Sequence, residues 1–287
     1  MLRDAVIDAL RPYHFRGKLR MLGSLAPRRG ERVARVFGYD VRLDLGEAIQ
    51  WWIYLGAFEP RETAIVRSWL RPGMTFLDVG ANFGYFTLLA ASRVGESGRV
   101  LAVEPSPYAY GRLVETVHNN ALPQVQVHQL GLSTHAGTLN LYLSPSQFHS
   151  PTMSASSGGE PVEVPVRRLD DCMDEWGVGS IDLMKLDVEG HEPFVLAGAS
   201  RVLDSGRIRA VLCEFNDHWL RQQGSSPQAL YDMFLRAGFV DVDGRADFAP
   251  SCCDTRFLVH RSTRERPSDL VGPAHRRDTP GRGDVNS

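Results

Sequence analysis

The 287-residue sequence predicts an α/β fold built on a doubly wound, parallel sheet. Three observations carry that prediction. Between Pro60 and Leu130, short β-rich runs alternate with stretches of helical period, and right-handed crossovers fold such an order into neighbouring parallel strands. The first of these β runs ends in a glycine turn, Asp78-Val79-Gly80-Ala81-Asn82-Phe83-Gly84, that leads directly into a helix. From Ile181 to His260 the same alternation resumes.

Each element has a local reason. Up to Asp40 the chain carries nine basic and four acidic side chains, with Val6, Ala9 and Leu10 at helical spacing, so residues 1–59 read as a helical N-terminal segment ahead of the main domain. Such a charge run can meet a membrane surface or an acidic ligand, and more often is a solvated helix face. Ile65, Val66, Trp69 and Leu70 share one helical face that Pro72-Gly73 stops. Strands follow over Thr75–Val79, Arg99–Val103 and Val125–Leu130, separated by helices over Tyr85–Val94 and around Tyr110–Val117. Leu139, Leu141 and Leu143, and then Val162, Val164 and Val166, repeat every second residue and predict two strands that flank a Ser/Pro/Gly-rich stretch at 144–159, expected to be a mobile lid carrying Phe148 and His149. A strand over Ile181–Leu186, a helix from about Gly190, a strand over Ala210–Glu214 and a helix opened by Ser226-Pro227 and closed by Gly238 come next. Two last strands fit Phe239–Asp243 and Arg256–His260, which bounds the main domain at 60–262. Residues 263–287 are polar, rich in Pro and Gly and without periodicity, as in a disordered tail.

Composition narrows the function. Lys and Arg total 32 against 34 Asp and Glu, a net charge of -2 without the basic footprint of a nucleic-acid-binding protein. No run approaches the roughly 20 apolar residues of a membrane span, and Asp4, Asp8 and Arg11 interrupt any secretory leader. A cytoplasmic protein is expected. The four cysteines are too few for a disulfide framework, and none stands at zinc-ligand spacing.

Three constellations bear chemistry. In the glycine turn, Gly80 and Gly84 let backbone approach a ligand at a helix N-terminus, and Asp78 suits a ligand with an ammonium group. Asn82 stands where a dinucleotide loop needs its second glycine, which disfavours a nicotinamide-dependent oxidoreductase. Such turns also serve plain strand-to-helix packing. Glu104, in Val103-Glu104-Pro105-Ser106, lies 20 residues past Gly84, where a carboxylate can take both hydroxyls of a ribose. A simple acidic cap on the next helix explains it too. The third is Lys185-Leu186-Asp187-Val188-Glu189-Gly190-His191-Glu192, at the carboxyl end of a core strand, where open α/β sheets bind ligands. Glu189 and Glu192 also suit the positive end of a helix dipole. A non-catalytic module for protein or RNA contact would need no carboxylates there.

Together these motifs, with Glu214-Phe215 and with Gly56-Ala57-Phe58-Glu59-Pro60, resemble the FkbM-type S-adenosylmethionine-dependent methyltransferases over roughly Tyr54 to Phe239. The resemblance implies a Rossmann-like, seven-stranded sheet with its last strand antiparallel. It further implies S-adenosylmethionine as cofactor, with Gly80, Asn82 and Gly84 around its methionine part, Asp78 near its amino group, Glu104 on the ribose, and Gly131, Leu132 and Ser133 beside the adenine. The reaction implied is O-methylation of a saccharide or secondary metabolite. On that reading Asp187 is expected nearest the sulfonium, and Glu189, at the helix start, to be the general base. His191 is a further catalytic candidate that the family motif does not fix, and His218 is the next base to consider. No metal is expected, although Asp187 and Glu214 are of the residue types that hold a divalent ion. Trp51, Trp52 and Tyr54 can stack on an acceptor or pack in the core, His218 and Trp219 can line a pocket or cap a helix, and Cys252-Cys253 is expected to lie in a loop without chemistry.

Overall fold

The computed structural model describes residues 6, 7, 9–11, 18–143, 160–249 and 251–263. The expected lid at 144–159, with Phe148 and His149, and the expected tail from 264 onward lie outside the described residues.

The chain opens with helix α1 (Lys18–Leu25), hairpin strands β1 (Glu31–Val36) and β2 (Tyr39–Asp44), and helices α2 (Ala48–Tyr54) and α3 (Pro60–Trp69). Then come β3 (Thr75–Val79), α4 (Tyr85–Val94), β4 (Arg99–Val103), α5 (Pro107–Asn119) and β5 (Val125–His128). A small side sheet holds β6 (Gly131–Leu132), β7 (Gly137–Leu143) and β8 (Glu160–Arg167), followed by α6 (Leu169–Glu175). The chain returns through β9 (Leu183–Leu186), α7 (Glu192–Ala197), α8 (Ser200–Asp204), β10 (Ala210–Asn216), α9 (Asp217–Gln222), α10 (Pro227–Arg236), β11 (Phe239–Asp241) and β12 (Cys253–His260).

The central sheet has seven strands in the order β11-β12-β10-β9-β3-β4-β5. Only β12 runs antiparallel to its neighbours. Its interior strands are mostly apolar because helices cover both faces, and the charged residues of β3, β9 and β10, namely Asp78, Lys185 and Glu214, line the cavity near the strands' carboxyl ends. Phe76 and Leu183 point into one buried layer, while Leu77, Val79, Met184 and Leu186 point into the other. The strand order reverses between β3 and β9, so the glycine turn after β3 and the acidic corner after β9 stand side by side. Asp187 N–H donates to the Val79 carbonyl at 3.2 Å, and Gly80 and Ala81 N–H groups donate to the Val103 carbonyl at 3.0 and 3.1 Å.

Residues 31–44 depart from the helix expected of the opening segment. Ala34, Val36, Val41 and Leu43 face inward on alternate positions of a hairpin, and Val33, Arg35, Asp40 and Arg42 alternate outward with them. This period of two was present in the sequence but masked by its charge. Phe37 and Gly38, with φ of 52° and 94°, form the two-residue turn that fits a hairpin's twist. Ile7, Leu22, Val36 and Tyr54 share one buried cluster with Phe76 and Phe86, so the opening segment packs directly on the sheet. Trp51 and Tyr54 are buried and Trp52 is exposed. No helix among the described residues is long and apolar enough to cross a membrane.

Gly80 has a φ of 81°, and a Cβ there would overlap the Asp187 carbonyl oxygen. Gly80→Ala is therefore expected to combine a left-handed strain of about 1 to 2 kcal/mol with a backbone clash. Thermal denaturation should show a melting temperature lowered by at least about 2 to 4 °C, the shift per kcal/mol for a domain of this size.

Candidate functional site

At the carboxyl tips of β3, β4, β9 and β10 the chain encloses a cavity of about 270 Å³. The glycine turn forms its floor. Gly80, Asn82 and Gly84 all take left-handed backbone, with φ of 81°, 51° and 85°, which turns the chain sharply from β3 into α4. Asp78 is buried, and its Oδ2 accepts from the Thr87 hydroxyl at 2.6 Å. Its Oδ1 has no hydrogen-bond partner among the described residues. Burial pushes the Asp78 carboxyl above its usual range, and the Lys185 ammonium pulls it back.

Glu104, at the tip of β4, is locked by backbone on both oxygens: Oε2 accepts from Asn82 N–H and Oε1 from Ser106 N–H, each at 2.8 Å. It lines the cavity and also ties down the start of α5, so its two sequence readings hold at once. Burial lifts its pKa to about 7. Gly131 and Leu132 of β6 line the cavity beside it, and Ser133, the next residue, is buried and does not line it.

β9 supplies Lys185, and the corner after it supplies Asp187, Val188, Glu189 and His191. Lys185 donates to Asp187 Oδ2 at 2.6 Å and sits 4.8 Å from the centre of the Phe86 ring. Burial opposes its charge, yet the carboxylates of Asp187, Glu59 and Asp78 hold it above the ordinary lysine range. Glu189 is not at a helix start. It takes a left-handed φ of 51° ahead of Gly190, and α7 begins only at Glu192 with His191 as its N-cap, so the helix dipole does not act on Glu189 as expected. Glu192 fixes this turn, its Oε1 accepting from Val188 and Gly190 N–H at 3.0 and 3.3 Å. His191 pairs its Nε2 with the Ser133 hydroxyl at 3.1 Å and stacks on Phe194. Burial lowers the His191 pKa to about 4, so the ring is neutral at physiological pH.

The remaining wall combines Ile49 and Ile53 of α2, Phe58 and Glu59 ahead of α3, Tyr85 of α4 and Glu214 of β10. Burial raises Glu214 to about 9, and Asp187, Glu189 and Glu192 add to the rise. Cys253 begins β12 rather than lying in a loop, and its thiol donates to Glu214 Oε1 at 3.4 Å. Glu59 was not among the residues expected at the site. The only signal for it was its place in the Gly-Ala-Phe-Glu-Pro stretch. His218 and Trp219 do not line the cavity; His218 pairs with Gln222 on the exposed side of α9.

Glu59, Glu104, Glu192 and Glu214 all have folded-state pKa values above that of an unfolded glutamate. Their contribution to stability is complete below about pH 4.5 and is lost as pH rises through 7 to 9. The ligand-free melting temperature is expected to fall across that window, and Glu214→Gln should flatten its upper part in calorimetric scans.

The sequence profile of the Methyltransferase FkbM domain matches residues 78–240. Methyltransferase sdnD from Sordaria araneosa is 32% identical over 205 residues, which cover 61% of this chain and 76% of that protein. The 31-O-demethyl-FK506 methyltransferase FkbM from Streptomyces tacrolimicus is 32% identical over 179 residues, 52% of this chain and 67% of the relative. The 2-O-methyltransferase NoeI from Sinorhizobium fredii is 25% identical over 179 residues, 57% of this chain and 72% of the relative.

Proposed function

Because this chain belongs to the FkbM methyltransferase family and is a methyltransferase, we propose that its methyl donor is S-adenosylmethionine and its acceptor a hydroxyl group on a saccharide or secondary metabolite. The observation that carries this reading is the pairing, on adjacent strand tips, of the orphaned Asp78 Oδ1 with the Glu104 carboxylate. A buried acceptor without a partner is costly, and a ligand ammonium placed against Asp78 removes that cost. Glu104 keeps lone pairs beyond its two backbone bonds, enough to take two ribose hydroxyls. Gly80 keeps the floor low enough for the methionine part beside Asn82, and Leu132 offers an apolar edge to a purine, while Gly84 lies against Leu113 and shapes the turn from behind.

When bound, S-adenosylmethionine supplies an activated methyl group on a positively charged sulfur. The protein's own share is electrostatic and geometric. Six carboxyl groups (Glu59, Asp78, Glu104, Asp187, Glu189 and Glu214) line the cavity with Lys185, which favours a cationic ligand over an anionic one. Asp187, immobilised by Lys185, together with Glu189 and the neutral His191, forms the corner that orients the acceptor. The apolar side chains of Ile49, Ile53 and Phe58 exclude water, and fixed placement of the reactants is the largest source of acceleration open to a displacement. Oxygen as the acceptor atom is supported by the relatives named for 31-O and 2-O positions.

The reading is tested by calorimetry with S-adenosylhomocysteine, and by incubating the protein and isotopically labelled S-adenosylmethionine with a panel of p-nitrophenyl glycosides and hydroxylated macrolides. Label found on nitrogen, or no binding of the thioether, overturns it. Glu104→Ala is expected to weaken thioether binding by about 1 to 3 kcal/mol while the fold stays intact by circular dichroism. Asp78→Asn should weaken it in the same sense, since an amide gives the ammonium a poorer partner.

A further inference from the structure

We infer that Glu59 is the general base of this methyl transfer, receiving the acceptor's hydroxyl proton as the new carbon–oxygen bond forms. The inference rests on the reading above and goes beyond it by placing a catalytic group outside the nucleotide-binding motifs.

The argument is one of availability, and Glu189, the base expected from the sequence, is itself engaged with other residues. Asp78 commits one oxygen to Thr87, and Glu104 commits both to backbone N–H groups. Asp187 is held by Lys185. Glu214 takes the Cys253 thiol and, with its pKa near 9, carries a proton at neutral pH, which makes it an acid rather than a base. Glu59 lines the same cavity, yet its carboxylate accepts no hydrogen bond from a described residue.

The backbone explains why. Glu59 occupies the N-cap position of α3, where a side chain normally turns back onto the helix, but its φ of 37° leaves the cap bond unmade. Pro60 follows as the first helical residue, and the Glu59 carbonyl is taken by Thr63 N–H at 2.9 Å. The Tyr85 hydroxyl pins this corner from α4, lying 3.3 Å from the Phe58 carbonyl and 3.0 Å from the Thr63 hydroxyl. The carboxylate is thus presented to the cavity from its apolar wall, across from Lys185 and Asp187.

The charges around it suit the role. Lys185 and Asp187 face it from β9 and the following corner, Asp78 from β3, Tyr85 from α4, and Glu62 from its own helix. Burial lifts Glu59 to about 7, Lys185 opposes the lift, and Asp187, Glu62 and Asp78 reinforce it. A base titrating there is ionised enough to accept a proton at neutral pH and basic enough to keep it through the transition state. In the balanced step the acceptor oxygen bonds to the methyl carbon, the carbon–sulfur bond breaks with its electron pair left on sulfur, and the hydroxyl proton passes to a Glu59 oxygen.

The test uses an acceptor found in the glycoside and macrolide panel, with S-adenosylmethionine saturating so that Glu104 does not shape the profile. In the wild-type protein kcat/KM should rise with the ionised fraction of Glu59 and level off above about pH 7. Glu59→Gln should lower it by roughly 10² to 10⁴, the usual share of base assistance, and abolish the acid limb. Glu59→Asp should keep the limb at a reduced rate, and Glu62→Gln should keep both the plateau rate and the limb, with the limb moved to slightly lower pH because the charge of Glu62 helps to raise Glu59. Independently of turnover, carbon-13 spectra of the thioether-bound protein labelled at glutamate carboxyls should contain a resonance titrating near pH 7 that Glu59→Gln removes. An acid limb that survives in Glu59→Gln, or the absence of that resonance, overturns the assignment. So does a Glu59→Gln protein that loses S-adenosylhomocysteine affinity, which would make Glu59 a cofactor ligand. Wild-type protein that binds no thioether instead refutes the function proposed above.

Discussion

The site depends on one close approach, that of the turn after β3 to the corner after β9. Gly80 lies so near the Asp187 carbonyl that no side chain fits between them, and Asp187 N–H closes the contact onto Val79. This is the point where the strand order reverses, so the two loops splay to opposite sides and leave a crevice above the sheet. Glu104 extends the same logic by one strand, since its Oε2 accepts from Asn82 N–H of the neighbouring turn while Oε1 accepts from Ser106 N–H. The floor of the cavity is therefore cross-linked through backbone groups, and its shape does not rest on exposed side chains.

A second constraint is electrostatic. Burying several carboxyl groups around one ammonium is costly in the absence of a ligand, and the protein meets that cost in two ways. Lys185 stays charged between Asp187, Asp78 and Glu59, while burial pushes Glu104 and Glu214 toward their protonated forms. The carboxyl groups thus differ in ionisation although they share one cavity. Those differences come from hydrogen bonds and depth, because the residue types are nearly the same. His191 illustrates the converse, a titratable ring made inert to protonation by burial against Phe194.

Much of this was legible in the sequence. The alternation of β-rich and helical runs gave the parallel sheet, because strands covered on both faces are predominantly apolar. The glycine turn, Glu104 and Asp187 were legible because left-handed turns and strand-end carboxylates are local features with fixed spacing. The hairpin at Glu31–Asp44 was not, since most of its outward positions are charged, and counting charge hid the period of two. Glu189 was placed on a helix that in fact starts three residues later, because Gly190 and Glu192 build a turn that propensity alone does not reveal.

The sequence by itself determined the order of the central-sheet strands, the glycine turn and the residues at the strand tips, all of which follow from short-range pattern and backbone sterics. Only the tertiary structure decided which carboxyl groups meet in one cavity and how each is ionised. Glu59 and Glu214 lie 155 positions apart and reach the same space through the folding of an opening segment onto one face of the sheet. Whether a carboxylate is bonded, buried or left free depends on neighbours brought together by packing, and that information is absent from local spacing.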